Sequence, residues 1–305
     1  MAIEFKDRAP LPTVNAALAP DFTVTMVREL SGLLGRFGDA ASGATVSGQS
    51  ALALLFGTEI AQSRASYKDA QKSEGVTVGN FKAWPVFITD GWRGVEAAVF
   101  NREGIERTFA EFFPNSSSEI RGGIGEAVRN IGQHGHHQRG MFMAGSEESR
   151  FAPGGVFLQA MTYPTDDGRH LPVLVAVVAD EGAGLASPST ALVDGHGDSG
   201  RGSQHEGLGV EFRASLVYVV RAQSGEWQLY DRSACDSPIR SGVKRIEPVC
   251  SLNLPHVERG CQKVMFFVPP LTEKQSQDPQ AVHQNVLDEE AVRKGILRAL
   301  ETLKA

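Results

Sequence analysis

The chain has 305 residues, 41% of them apolar and 22% charged, a balance that excludes a disordered polymer and allows one large or two ordinary domains. A net charge of −6 and a pI near 5.8 argue against a general nucleic-acid surface. No apolar run approaches the roughly 18 residues of a membrane span. The first residues lack the basic and apolar regions of a signal peptide, and Cys235, Cys250 and Cys261 have no paired spacing, so a reduced, cytoplasmic protein is expected.

Residues 1–112 read as an α/β region of unstated role. Within it, residues 22–37 place Val27, Leu30, Leu33, Leu34 and Phe37 at helical spacing. Residues 43–48 read as a loop or short strand, and residues 50–72, apolar and then polar, as a second helix. Residues 76–89 have strand character interrupted at Pro85, which cannot donate to a ladder and so marks an edge or a pair of short strands. Trp84 and Trp92 flank the turn signal Asp90-Gly91; such a pair can serve a ligand, but core packing is the commoner use. Residues 101–113 read as a short helix before Pro114, and Asn115 to Ser118 supply N-cap chemistry for the next.

That next helix carries Ile120, Ile124, Ala127, Val128 and Ile131 on one stripe. Glu126, Asn130 and His134 follow one another at four-residue spacing, forming a polar line about 100° from the stripe. A carboxylate, a carboxamide and an imidazole on such a shoulder can activate a water, hold a metal and contact a phosphate; a solvated face is the plain alternative. His134, His136 and His137 invite a zinc reading, but no further Cys or His stands at ligand spacing.

Two strands follow at residues 154–164 and 171–180, joined by a turn at 165–168, and the second ends in Asp180-Glu-Gly182-Ala-Gly184. Residues 186–205, rich in glycine, read as a long flexible loop of the kind that is functional or disordered. Glu206-Gly207-Leu208-Gly209-Val210 then opens a helix-like run to about Ala222. Residues 227–231 and 264–268 read as strands, 272–280 as a linker, and 286–304 as an amphipathic helix. That helix, with Val292, Ile296, Leu300 and Leu303 on one stripe, is expected to pack on its own domain.

ExxxNxxxHG at residues 126–135, DxGxG at 180–184 and GLG at 207–209 resemble, in order and spacing, the N, G1 and G2 boxes of the GHKL ATPase family, which includes gyrase, histidine kinases and MutL. The resemblance covers roughly residues 119–270, about half the chain. It implies a Bergerat-type α/β sandwich, helices on a mixed sheet, over residues 113–271. The smaller α/β region of 1–112 would precede it, and a linker with the C-terminal helix, 272–305, would follow.

It also implies ATP and Mg²⁺ as cofactors, with Glu126 orienting or deprotonating the attacking water and Asn130 completing the metal's shell. Asp180 would accept from the adenine amino group, while Gly182 and Gly184 let the backbone approach the base. Gly207, Leu208 and Gly209 would present backbone N–H groups and a helix N-terminus to the phosphates, with His134 either on the phosphate side or structural. Residues 186–205 would be the lid.

The chain departs from the family at His205-Glu206, where a first glycine is common. It departs again at Gly260-Cys261, where Gly-Thr is common and a thiol bonds more weakly. It offers no lysine assignable to the γ-phosphate, and His134 is its first histidine, which disfavours autophosphorylation. The expectation is a Mg²⁺-dependent ATPase with a lid-coupled conformational change, working with a protein partner or by self-association. The alternatives are a protein kinase of the same fold acting on a separate partner, and a non-catalytic ATP-gated interaction switch.

Overall fold

A computed structural model of the chain describes residues 20–47, 49–57, 59–60, 64–90, 96–110, 118–131, 148–182, 184–192, 209–234, 246–255 and 260–304. Trp92, the histidines at 134, 136 and 137, Asn115, Cys235, and residues 193–208 lie outside the described residues.

Ten strands form one sheet. In chain order they are β1 (Arg64–Ser66), β2 (Val76–Val78), β3 (Phe81–Asp90), β4 (Glu96–Val99), β5 (Glu148–Pro164), β6 (His170–Asp180), β7 (Val217–Arg221), β8 (Trp227–Asp231), β9 (Cys250–Leu252) and β10 (Gln262–Phe267). The spatial order is β2-β3-β5-β6-β10-β7-β8-β9, with β1 beside β5 and β4 beside β3. The architecture is mixed α/β as expected, but every pairing among the described strands is antiparallel, where a mixed sheet was expected. Tight turns impose this on the hairpins: Gly168 N–H donates to the Thr165 carbonyl between β5 and β6, and Gly225 N–H to the Ala222 carbonyl between β7 and β8. The strands of residues 64–99 belong to the same sheet as β6, which ends at Asp180.

Helices cover both faces. On one face pack α1 (Pro20–Ser47), α2 (Ala51–Phe56) and a C-terminal helix (Pro279–Glu301), through Leu30, Leu34, Phe37, Phe56, Ile296 and Leu300 against Phe157, Val175, Val177, Val219 and Val264. On the other face pack the helices Arg102–Phe109, Ser118–Asn130 and Gly209–Ala214, through Phe109, Ile124, Val128 and Phe212 against Val156, Leu174, Ala176, Val178, Val220 and Met265. Successive strand residues therefore alternate between two buried layers, which is why β6 and β7 are continuously apolar.

Several sequence expectations change once this packing is known. The predicted helix from Glu211 to Ala222 is a helix only to Ala214; Val217–Arg221 is a strand, because a short apolar run buried on both sides has no periodicity to separate the two. The loop or short strand predicted at 43–48 is mostly the end of α1, where Ser42, Thr45 and Ser47 hydroxyls donate to carbonyls one turn back. The single helix predicted over 50–72 is α2, then β1, then the turn of helix Tyr67–Ala70. Pro85 lies inside β3, in the gap between the residues that pair with β2 and those that pair with β4, and the register with β5 shifts beside it. Trp84 is core, 1% exposed. The predicted flexible segment from residue 186 begins with a helical turn, Pro188–Ala191, whose end is buried at Ala191 and Leu192. The predicted linker 272–280 contains a capped turn of helix, Glu273–Ser276.

The C-terminal helix starts at an Asp278 N-cap with Pro279 at its first turn, earlier than the predicted residue 286. It packs on its own core as expected. Gly295 lets it approach Tyr163, since an added Cβ would lie 2.4 Å from that ring. Arg169 donates twice to Asp288 at 2.8 Å, Arg232 pairs with Glu289, and Arg293 with Asp231, so the helix is pinned to strand ends as well as to apolar side chains. Ile296 is fully buried between these layers. Ile296→Ala is expected to lower unfolding stability by about 2–5 kcal/mol, read from the urea midpoint at unchanged slope.

Candidate functional site

Asn130 lies in the last turn of the helix Ser118–Asn130, half-buried, and its Nδ2 donates to Glu211 Oε1 at 2.7 Å. Glu211 is fully buried in the helix Gly209–Ala214. Its Oε1 also accepts from Lys263 Nζ at 2.7 Å, and its Oε2 accepts from the Tyr218 hydroxyl at 2.7 Å. A carboxylate only accepts, so the Asn130 amide nitrogen must face Glu211 and its oxygen the other way.

Lys263 comes from β10, the central strand between β6 and β7. Burial pulls its ammonium toward neutrality, but its neighbours, Glu211 foremost and then Cys261 and Asp180, together offset this, and the Lys263 pKa lies above its ordinary value. Burial, followed by Glu211, lifts the Tyr218 phenol well above its ordinary range, so it stays a donor.

Glu126 lies one helical turn before Asn130, and both of its carboxylate oxygens are 2.6 Å from Arg129 Nη2. Burial raises its pKa above the ordinary carboxylate value; Arg129 opposes that, and the Glu211 charge adds to it. Glu126 therefore feels both members of the buried pair.

Asp180 ends β6 at 6% exposure. Its Oδ1 accepts from Gly182 N–H at 2.8 Å and Cys261 N–H at 3.3 Å, while its Oδ2 accepts no hydrogen bond among the described residues. Burial pushes the Asp180 pKa up to about 6, against the pull of the Gly182 N–H and of Lys263. The neighbouring Cys261 thiol is pushed by burial up to about 12 and stays neutral.

Glycine is required next to it. Gly260 has φ +86, and an added Cβ would lie 1.7 Å from the Asp180 carbonyl oxygen; Gly184, at φ +77, packs its α-carbon toward the Gly260 backbone. Arg221 Nη1 donates to the Gly260 carbonyl at 3.3 Å.

Among the sequence-predicted site residues, Glu126 and Asn130 thus share a helix, with Asn130 joined through Glu211 to the helix that Gly209 opens. Asp180, Gly182 and Gly184 lie at the end of β6 against Gly260-Cys261, with Lys263 as the charge between the two groups. Gly182 N–H is committed to Asp180. His134, Gly207 and Leu208 lie outside the described residues. Sequence reasoning missed Glu211, Lys263 and Tyr218. The available signal was a charge between apolar residues in Val210-Glu211-Phe212 and another at the head of the apolar run Lys263-Val-Met-Phe-Phe267.

Comparison with protein-family models, with curated proteins and with solved structures gives no match for this chain. Among the described residues, no helix is long and apolar enough to cross a membrane, and no three His, Cys, Asp or Glu side chains group as metal ligands.

The Asp180 pKa predicts a measurable pH dependence. It is about 6 in the folded chain and roughly 3.9 unfolded, so the folded state holds more protons between these values. The contribution of Asp180 to wild-type stability accordingly falls as pH rises through that window. Asn at this position does not titrate, and its oxygen can accept the same two N–H groups. Asp180→Asn is expected to match wild type near pH 4 and exceed it near pH 8 by on the order of 3 kcal/mol, measured by urea denaturation at both.

Proposed function

We propose that the chain binds ATP as its Mg²⁺ complex in the manner of the GHKL ATPases and hydrolyses it slowly, with residues 186–205 acting as a lid. In this reading β5, β6, β10 and β7 with the helix Ser118–Asn130 form the Bergerat-type sandwich, and the α1, α2 and C-terminal helix layer is an addition on the opposite face.

Asp180 is the observation that carries the reading. A carboxylate held at a strand end with its pKa raised by burial is a stability cost, which a binding site accounts for and a packing role does not. Its Oδ1 is fixed by two backbone donors, and its Oδ2 is the acceptor an exocyclic amino group requires.

The Asn130 side chain fits Mg²⁺ through its amide oxygen, the end turned away from Glu211, since this ion takes oxygen ligands and completes its shell with water and phosphate. When bound, Mg²⁺ neutralises the phosphate charge that builds during transfer. Glu126, one turn away and more basic than an ordinary carboxylate, suits the deprotonation of a water.

Arg129 holds Glu126 and favours a second reading, in which the chain is an ATP-gated interaction switch that does not turn over until that pair is broken.

Phosphate release from Mg·ATP, with ATP affinity measured in parallel, tests both readings. In wild type, turnover is expected, and Glu126→Ala should lower it about 100-fold or more while binding persists. Asp180→Asn should lose ATP binding, because it presents a second donor to the adenine amino group. Tight binding without turnover in wild type favours the switch. Absence of ATP binding in wild type overturns both.

A further inference from the structure

Asn130 has two nearly isosteric ends, and only its oxygen can ligate a hard cation. What selects the end is Glu211. Its Oε1 accepts from Asn130 Nδ2 and from Lys263 Nζ, each at 2.7 Å, and its Oε2 is occupied by the Tyr218 hydroxyl. Glu211 is wholly buried and Lys263 is 3% exposed, so the carboxylate itself is shielded from solvent.

A buried Glu–Lys pair is not needed for stability, since apolar side chains of similar volume often do as well. Asn130, Glu211 and Lys263 come from three different elements, and the helix bearing Glu211 is the one that Gly209 opens. The bond thus links the helix of the ExxxN motif to the segment that follows GLG.

We infer that Glu211 is a positioning residue for Asn130: it holds the carboxamide with its oxygen outward to receive the divalent cation, while Lys263 and Tyr218 hold Glu211. This rests on the Mg·ATP reading of the site. Glu211 acts only through Asn130 and touches neither the nucleotide nor the cation. Its loss should therefore leave cation-free nucleotide binding intact and remove the gain that Mg²⁺ brings.

The test compares two double variants in which the ion pair is equally absent. Glu211→Met with Lys263→Met offers Asn130 no acceptor, whereas Glu211→Gln with Lys263→Met still offers an amide oxygen. ATP binding is titrated calorimetrically in EDTA and in Mg²⁺, and folding is checked by thermal melts. In EDTA the two doubles are expected to bind alike, since both lack Lys263 and its pull on Asp180, so each is judged by the gain Mg²⁺ adds to its own cation-free affinity. In Mg²⁺, the Met double should lose about 10- to 100-fold of the cation-dependent gain, as for other groups that orient a metal ligand, and the Gln double should keep it.

Glu211→Asp provides an independent arm. It preserves the charge opposite Lys263, and so the fold, but withdraws the acceptor by one methylene. It too should bind normally in EDTA and respond weakly to Mg²⁺. Equal Mg²⁺ responses in the two doubles, or a wild-type response in Glu211→Asp, would overturn the inference while leaving the nucleotide reading intact. Absence of ATP binding in wild type would overturn the nucleotide reading and this inference with it.

Discussion

Covering an antiparallel sheet with helices on both faces removes the solvent-facing side that such sheets usually keep, and that constraint governs the rest of the chain. From Val173 to Asp180, every residue of β6 is buried, as is every residue of β7 and β10. Side chains in this layer must be apolar or fully compensated, because an unpartnered polar group there costs a few kcal/mol and an unpaired charge far more. A charge in this core is therefore costly unless partners are built around it.

Such a set lies between β10 and the two helices on the same face. Glu211 receives donors from Asn130, Tyr218 and Lys263, and it leads the neighbours that together hold Lys263 protonated against desolvation. Lys263 also acts at a distance on Asp180 and on Glu126, in each case less than burial does, so one cation is felt at both ends of the proposed site. Asp180 differs from the pair in that no direct salt bridge is made to it among the described residues. Backbone N–H groups hold it instead, leaving it a raised pKa and one carboxylate oxygen uncommitted among the described residues.

The N-terminal region takes part in this arrangement. Glu181, next to Asp180, accepts from the Ser50 hydroxyl at 2.9 Å and from Leu52 N–H at 2.6 Å, so the end of β6 is tied to the first turn of α2. Phe56 of the same helix packs over Gly155 of β5, where an added Cβ would lie 2.5 Å from its ring. A change in the position of α2 would therefore be felt at the residue after Asp180.

The sequence by itself determined the elements whose signal is local. The stripe of the helix Ser118–Asn130, the hairpin turn at Thr165–Gly168, the apolar run ending at Asp180 and the seam of the C-terminal helix were all readable, because periodicity and turn chemistry act within a few residues. The four-residue spacing likewise placed Glu126 and Asn130 on one line. Only the tertiary structure decided that Val217–Arg221 is a strand, that the sheet is antiparallel and covered twice, and what the polar line faces. Asn130 and Glu211 stand 81 positions apart, and Glu211 and Lys263 stand 52 apart. No local pattern encodes which buried charge will meet which, since that pairing exists only once the sheet and its two helical layers have closed around it.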